Sequence, residues 1–212
     1  MLDVDSTLSA IEGIDWLAAR CSEDVRTRVA KATERAMRGE IPLAAVYGER
    51  LDLVAPGRRD FEELASEYIA RVQADAGESL AKLTNSGVRV VLVSAGIREA
   101  IIPLARHVGV APDDVNAVSV NFDSDGSYAG YKSESPLTRN GGKAEVVRSL
   151  DLPHPILGVG DGITDLEMRT VSPSAVDAFA AYVGVIDRAV VSQKADYRVK
   201  SFTEIIPIVL GT

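Results

Sequence analysis

Asp3-Val4-Asp5-Ser6-Thr7 sets two carboxylates two residues apart, almost at the first residue of the chain. On an extended segment, side chains two apart point to the same side of the backbone. Acids so placed can divide the work on one phosphate ester: the first attacks phosphorus and the second protonates the leaving oxygen. Asp-x-Asp alone also describes a solvated turn or a fragment of a metal site. The elements that follow have to decide between these readings.

Val88-Arg89-Val90-Val91-Leu92-Val93 is a β-branched apolar run of buried-strand type. It ends in Ser94-Ala95-Gly96, and a helix-like stretch runs from Ile97 to Val108. Gly141-Gly142-Lys143 opens an amphipathic helix reaching Leu150. Pro155-Ile156-Leu157-Gly158-Val159 reads as a further buried strand and leads into Gly160-Asp161-Gly162-Ile163-Thr164-Asp165. The polar residues fall just past predicted strand ends, where open parallel α/β sheets bind ligands.

The stretch between the first motif and Val88 is different, with almost no strand signal. Ile11, Ile14, Leu17 and Ala18 mark a helical face over Ala10 to Arg20. Ser22 can cap a second helix that reaches Met37 and stops at Gly39. Pro42 suits the start of a third, reaching Val54, and Phe61, Leu64, Tyr68 and Val72 space a fourth after Asp60. Residues 9–72 are therefore expected to form an all-helical cap inserted into an α/β core made of residues 1–8 and 73–212. Within the core, Val118, Val120 and Phe122, a turn at Asp123-Ser124-Asp125-Gly126, then Tyr128 and Tyr131 predict a hairpin over Asn116 to Lys132.

Composition narrows the function. At 212 residues and 46% hydrophobic, the chain can hold one good-sized core with a smaller inserted module. The lone Cys21 excludes a disulfide framework and points to a reducing compartment, the cytoplasm. No apolar run reaches the roughly 18 residues of a membrane span, and no signal segment precedes the first motif. A net charge of −8 without a sustained Lys/Arg block argues against nucleic acid. Positive charge for an anionic substrate must then be local: a metal, Lys143 and a few arginines.

Two look-alikes fail on inspection. Gly158-x-Gly160-x-Gly162 lacks the last glycine of a dinucleotide fingerprint, position 163 being Ile. Gly142-Lys143 lacks the Ser/Thr of a phosphate-binding loop, since Ala144 follows. A receiver-type signalling domain shares the acid, hydroxyl and lysine set, but its acceptor Asp lies on a later strand and it has no helical cap.

The ordered motifs resemble the haloacid dehalogenase superfamily and, within it, the phosphoserine phosphatases. The likeness runs from Asp3 to about Ile208 and includes Glu12-Gly13-Ile14-Asp15 and Tyr128-Ala129-Gly130-Tyr131. It implies a Rossmann-like parallel sheet with helices on both faces and an inserted cap. The implied activity is Mg²⁺-dependent hydrolysis of O-phosphoserine, the last step of serine biosynthesis, through an aspartyl-phosphate. Asp3 would be the nucleophile and Asp5 the general acid and base, with Ser94 and Lys143 on the phosphoryl oxygens. The metal would take Asp3, the backbone carbonyl of Asp5 and Asp161, with Asp165 supplementary or behind them. Substrate would meet Glu12 at its ammonium and Arg50 at its carboxylate, with Met37, Ala95, Gly96, Thr164 and Arg188 nearby. Alternatives are transfer of the phosphoryl group to another alcohol such as homoserine, or a phosphometabolite-binding protein disabled by its short first strand. A homodimer stays open.

Three positions depart from the family pattern. Ala95 stands where the family has Gly, which would strain a backbone needing positive φ. Arg38 replaces a Gly near the cap. Only Met1 and Leu2 precede Asp3, so they can supply just the final rung of a central strand.

Overall fold

The computed structural model describes residues 1–37 and 43–211, without the side chains of Glu34, Ala36, Met37 and Leu43. The expected helix stop at Gly39, the start at Pro42 and the Arg38 departure lie outside the described residues. Early in the chain come four helices: α1 (Gly13–Ala19), α2 (Glu23–Met37), α3 (Leu43–Val54) and α4 (Arg58–Ala70). Ser22 Oγ accepts the Val25 N–H at 3.4 Å, the cap expected there. α5 (Ala76–Asn85) then leads to β1 (Leu92–Ile97), and α6 (Arg98–His107) to β2 (Val115–Val118). β3 (Val120–Phe122) and β4 (Tyr128–Tyr131) form an antiparallel hairpin. The chain closes with α7 (Gly142–Ser149), β5 (Leu157–Gly160), α8 (Ile163–Thr170), β6 (Ala178–Tyr182), α9 (Ala189–Ser192), β7 (Tyr197–Val199) and α10 (Ile205–Leu210).

One parallel sheet organises the core. β2 pairs with β1, and β5, β6 and β7 lie side by side. Met1–Asp3 joins the two groups. The Leu2 N–H donates to the Val91 carbonyl (2.9 Å) and the Val93 N–H to Leu2 (3.0 Å); on the other side Asp3 donates to Val159 (3.0 Å) and Val159 to Met1 (2.9 Å). Val91, Leu92 and Val93 are buried in succession, as are Phe179, Ala180, Ala181 and Tyr182. Neighbours along a strand face opposite ways, so both faces of the sheet are covered.

The strand predicted over Val88–Val93 starts later, at Leu92, and runs on through Ser94-Ala95-Gly96. The ladder with the first strand begins where the Leu2 N–H meets the Val91 carbonyl. β5 likewise begins at Leu157, whose carbonyl accepts from the Met1 amine at 2.7 Å. The predicted hairpin is also shorter. Val115–Val118 pairs in parallel with β1, and the turn between β3 and β4 centres on Gly126 at φ +86°. Alternation through Val118, Val120 and Phe122 continues across Ser119, so it carries no mark of the change of partner.

The helical segment leaves and rejoins the core at one place. Ser9 and Val72 form an antiparallel bridge, the Ala10 N–H donates to Arg71 (2.9 Å) and the Gln73 N–H to Leu8 (3.0 Å). α4 packs on α1 and on α6 of the core, and Phe61 meets Phe122 edge-on at 5.8 Å.

Candidate active site

Asp3 ends the inner strand, and Asp161 follows directly on β5. Asp165 joins them because of a glycine: a Cβ at Gly160 would stand 2.3 Å from Asp165 Cγ. Only glycine lets the first turn of α8 fold back over the strand end. Asp165 Oδ2 accepts the Gly162 N–H at 2.9 Å. Lys143 arrives on α7, whose start presses so closely on its neighbour that a Cβ at Gly142 would lie 1.6 Å from the Pro136 carbonyl oxygen. Lys143 Nζ donates to Asp3 Oδ1 and to Asp165 Oδ1, both at 2.6 Å. All three side chains are buried.

Oxygens of Asp3, Asp161 and Asp165 lie within 4.8 Å of one another. Burial raises the Asp3 carboxyl well above the ordinary range, the charge of Asp165 raises it further, and Lys143 opposes both. Burial alone would lower the Lys143 ammonium, but Asp165 and Asp3 more than reverse that. Asp161 is raised by burial, against hydrogen bonds from Arg188 Nε (2.8 Å) and the Thr7 hydroxyl (3.2 Å). Lys143 bridges Asp3 and Asp165 while Asp161 is held by Arg188 and Thr7, and three buried carboxylates so close together suit a divalent cation with a preference for hard oxygen.

Ser6 sits in the left-handed region at φ +53°. This turn sends its N–H to the Ile11 carbonyl (3.1 Å) and its hydroxyl to Glu12 Oε1 (2.7 Å). Glu12, raised by burial, also accepts from Arg188 Nη2 at 3.4 Å. Asp5 Oδ1 accepts the Gly13 N–H (3.1 Å) and the Tyr68 hydroxyl (2.5 Å). Burial first, then the charge of Glu12, pushes the Asp5 carboxyl up to about 7.

These groups open into a cavity of about 900 Å³. Of the residues singled out from sequence, Asp3, Asp5, Glu12, Arg50, Ala95, Lys143, Asp161, Thr164, Asp165 and Arg188 line it. Ser94 and Gly96 stand behind Ala95: Ser94 Oγ accepts the Gly96 N–H at 2.9 Å, and a Cβ on Gly96 would be 3.1 Å from Asp5 Oδ2. The Met37 side chain lies outside the described residues. Arg188, expected beside substrate, has its guanidinium on Asp161 and Glu12. Arg50 pairs with Asp15 through Nη2, while its Nε is buried with no hydrogen-bond partner among the described residues. Ala95 is not among the positive-φ residues, so the strain anticipated for it does not arise.

Sequence reading missed two tyrosines. Tyr68 shows only as part of an apolar helix face, although a buried tyrosine needs a partner for its hydroxyl; that partner is Asp5. The Tyr47 hydroxyl donates to the Ala95 carbonyl at 2.8 Å. Among the described residues no helix is long and apolar enough to cross a membrane.

The model of the haloacid dehalogenase-like hydrolase family matches residues 1–169. The chain belongs to this family. Among relatives of this haloacid dehalogenase-like chain, the chloroplastic phosphoserine phosphatase of Arabidopsis thaliana is 34% identical over 96% of this chain and 69% of its own length. Phosphoserine phosphatase of Homo sapiens is 33% identical over 96% of this chain and 89% of its own. A phosphoserine phosphohydrolase-like protein from Francisella tularensis shares the haloacid dehalogenase-like fold, with a TM-score of 0.84 at 22% identity over 98% of this chain and 97% of that one.

Proposed function

We propose that this chain is a Mg²⁺-dependent phosphoserine phosphatase releasing serine and inorganic phosphate. The observation that carries the reading is the buried Asp3–Lys143–Asp165 cluster, opening into a cavity that also holds Asp5, Glu12 and Arg50. The curated relatives supply the substrate. Three clustered buried carboxylates fit a hard divalent ion in donor chemistry. Asp3 and Asp161 would hold Mg²⁺ with the Asp5 carbonyl, Asp165 supporting them, and the ion when bound draws charge from the phosphoryl group.

Asp3 attacks phosphorus and forms an aspartyl-phosphate as the ester P–O bond breaks. The electron pair of that bond stays on the seryl oxygen, which takes a proton from Asp5. In the second half water attacks phosphorus, Asp5 takes its proton, and Asp3 is freed with release of phosphate. A carboxyl near 7 is suited to both the giving and the taking at neutral pH. Lys143 offsets the charge of the nucleophile and the phosphoryl oxygens, and the Ser94 segment holds another of those oxygens. Residues 9–72 act as the cap that selects substrate. Arg50 Nε, without a hydrogen-bond partner among the described residues, is offered to the substrate carboxylate, and Glu12 to its ammonium. The free, half-buried Cys21 suits a cytoplasmic enzyme.

The test is phosphate release from phosphoserine with Mg²⁺, with and without homoserine as acceptor. Release that ignores the alcohol and stops on chelation is the expected result. A phosphorylated alcohol in place of free phosphate makes the chain a phosphotransferase. No loss of the phosphoryl group under any condition leaves only binding.

A further inference from the structure

Resting on the reading of Asp5 as proton carrier, we propose that Tyr68 is a positioning residue for the proton transfer, fixing which Asp5 oxygen delivers the proton. Among the described residues, two donors reach the Asp5 carboxyl, the Tyr68 hydroxyl and the Gly13 N–H, and both converge on Oδ1. Among the described residues none donates to Oδ2, which lies on the side of Gly96 and Ser94. An oxygen already accepting two hydrogen bonds is the poorer place for a proton. The transferable hydrogen therefore resides on Oδ2, and the torsion of the carboxyl is set from behind.

Tyr68 is itself held firmly. It is wholly buried on α4, and its backbone carbonyl accepts the hydroxyl of buried Ser9 at 3.0 Å, next to the point where the helical segment rejoins the core. Its hydroxyl occupies the space that a side chain at Gly13 would take: a Cβ there would stand 2.1 Å from Tyr68 Oη. Gly13 thus serves the contact twice, by donating its N–H to the same oxygen and by leaving room for the tyrosine. Tyr68 touches neither phosphorus nor the leaving group, so its effect must pass through Asp5.

This gives a signature that a merely structural role lacks. A seryl leaving group needs a proton as its bond to phosphorus breaks, whereas p-nitrophenolate is stable as an anion. Tyr68→Phe should slow formation of the phosphoenzyme from phosphoserine by about 10-fold, a part of the 10²–10⁴ that general acid catalysis supplies. Formation from p-nitrophenyl phosphate should be almost unchanged. Both are read as pre-steady-state rates on one enzyme preparation, so a reduced folded fraction cancels in their ratio. Gly13→Ala, which displaces the hydroxyl without deleting it, should give the same selective loss. Equal losses on the two esters, or no loss on phosphoserine, would overturn the role of Tyr68 while the phosphatase reading stands. A wild-type protein that dephosphorylates neither ester sinks that reading, and this proposal with it.

Discussion

Replacing Lys143 by Met tests the charge balance on which the site is built. The ammonium is buried between two buried carboxylates at 2.6 Å from each, so its removal strands both. Breaking a buried pair by removing one partner costs roughly 3–5 kcal/mol. For a chain of this size each kcal/mol moves the melting temperature by about 2–4 °C, so a fall of about 6–20 °C is expected in metal-free buffer at pH 7. The sign with pH is fixed by Asp3. Its folded carboxyl is raised above the ordinary 3.8, so the folded state binds its proton more tightly than the unfolded chain does. That penalty is absent when both states are protonated and grows as pH rises through the unfolded value. Without Lys143 the penalty is larger, so the deficit of the variant should shrink as pH is lowered toward 4. Added Mg²⁺ should restore more stability to the variant than to the parent. The assay is thermal unfolding of both proteins across pH, with and without the ion. A variant that melts with the parent, or a deficit independent of pH, would refute the argument that Lys143 neutralises this cluster.

Asp3→Asn should abolish turnover and acid-stable labelling by phosphate, whereas Asp5→Asn should keep the fold and lose turnover on phosphoserine; label on any residue but Asp3 contradicts the assignment. Arg50→Lys and Glu12→Gln should each impair phosphoserine by 10-fold or more, on the order of 1.4 kcal/mol in transition-state binding. A phosphate ester without the amino-acid head should be little affected, and equal losses would make both residues structural.

What the sequence disclosed and what it hid differ in range. Asp3, Asp161, Asp165 and Lys143 could be read because each stands beside its own strand end or helix start, a local pattern. The pairing of Arg50 with Asp15, the turn of Arg188 toward Asp161 and the reach of Tyr68 to Asp5 depend on how distant elements meet. No spacing encodes such contacts. The strand at Val88–Val93 was misplaced for a related reason: β-branched residues mark what can be a strand, but the ladder forms only where a partner lies alongside. Likewise Val115–Val118 has the alternation of its hairpin neighbours and belongs to another sheet. α5 passed unread, its apolar positions Leu80 and Leu83 being few and set among polar residues.

The bridge between Ser9 and Val72 makes the helical segment a detour with its two ends side by side. Such an insertion can be exchanged as a cassette, because the core it interrupts need not stretch to accept another of different length. In this chain the cassette carries Tyr68 and Gly13, the two donors to Asp5 among the described residues. If the segment selects substrate as proposed, a graft that brought in a new surface without a hydroxyl at that point would change substrate preference and weaken proton delivery in the same stroke. On the proposed roles of the cap and of Asp5, recognition and acid chemistry would be inherited as one unit, and an engineer who wants to alter the first would have to carry the second across the junction.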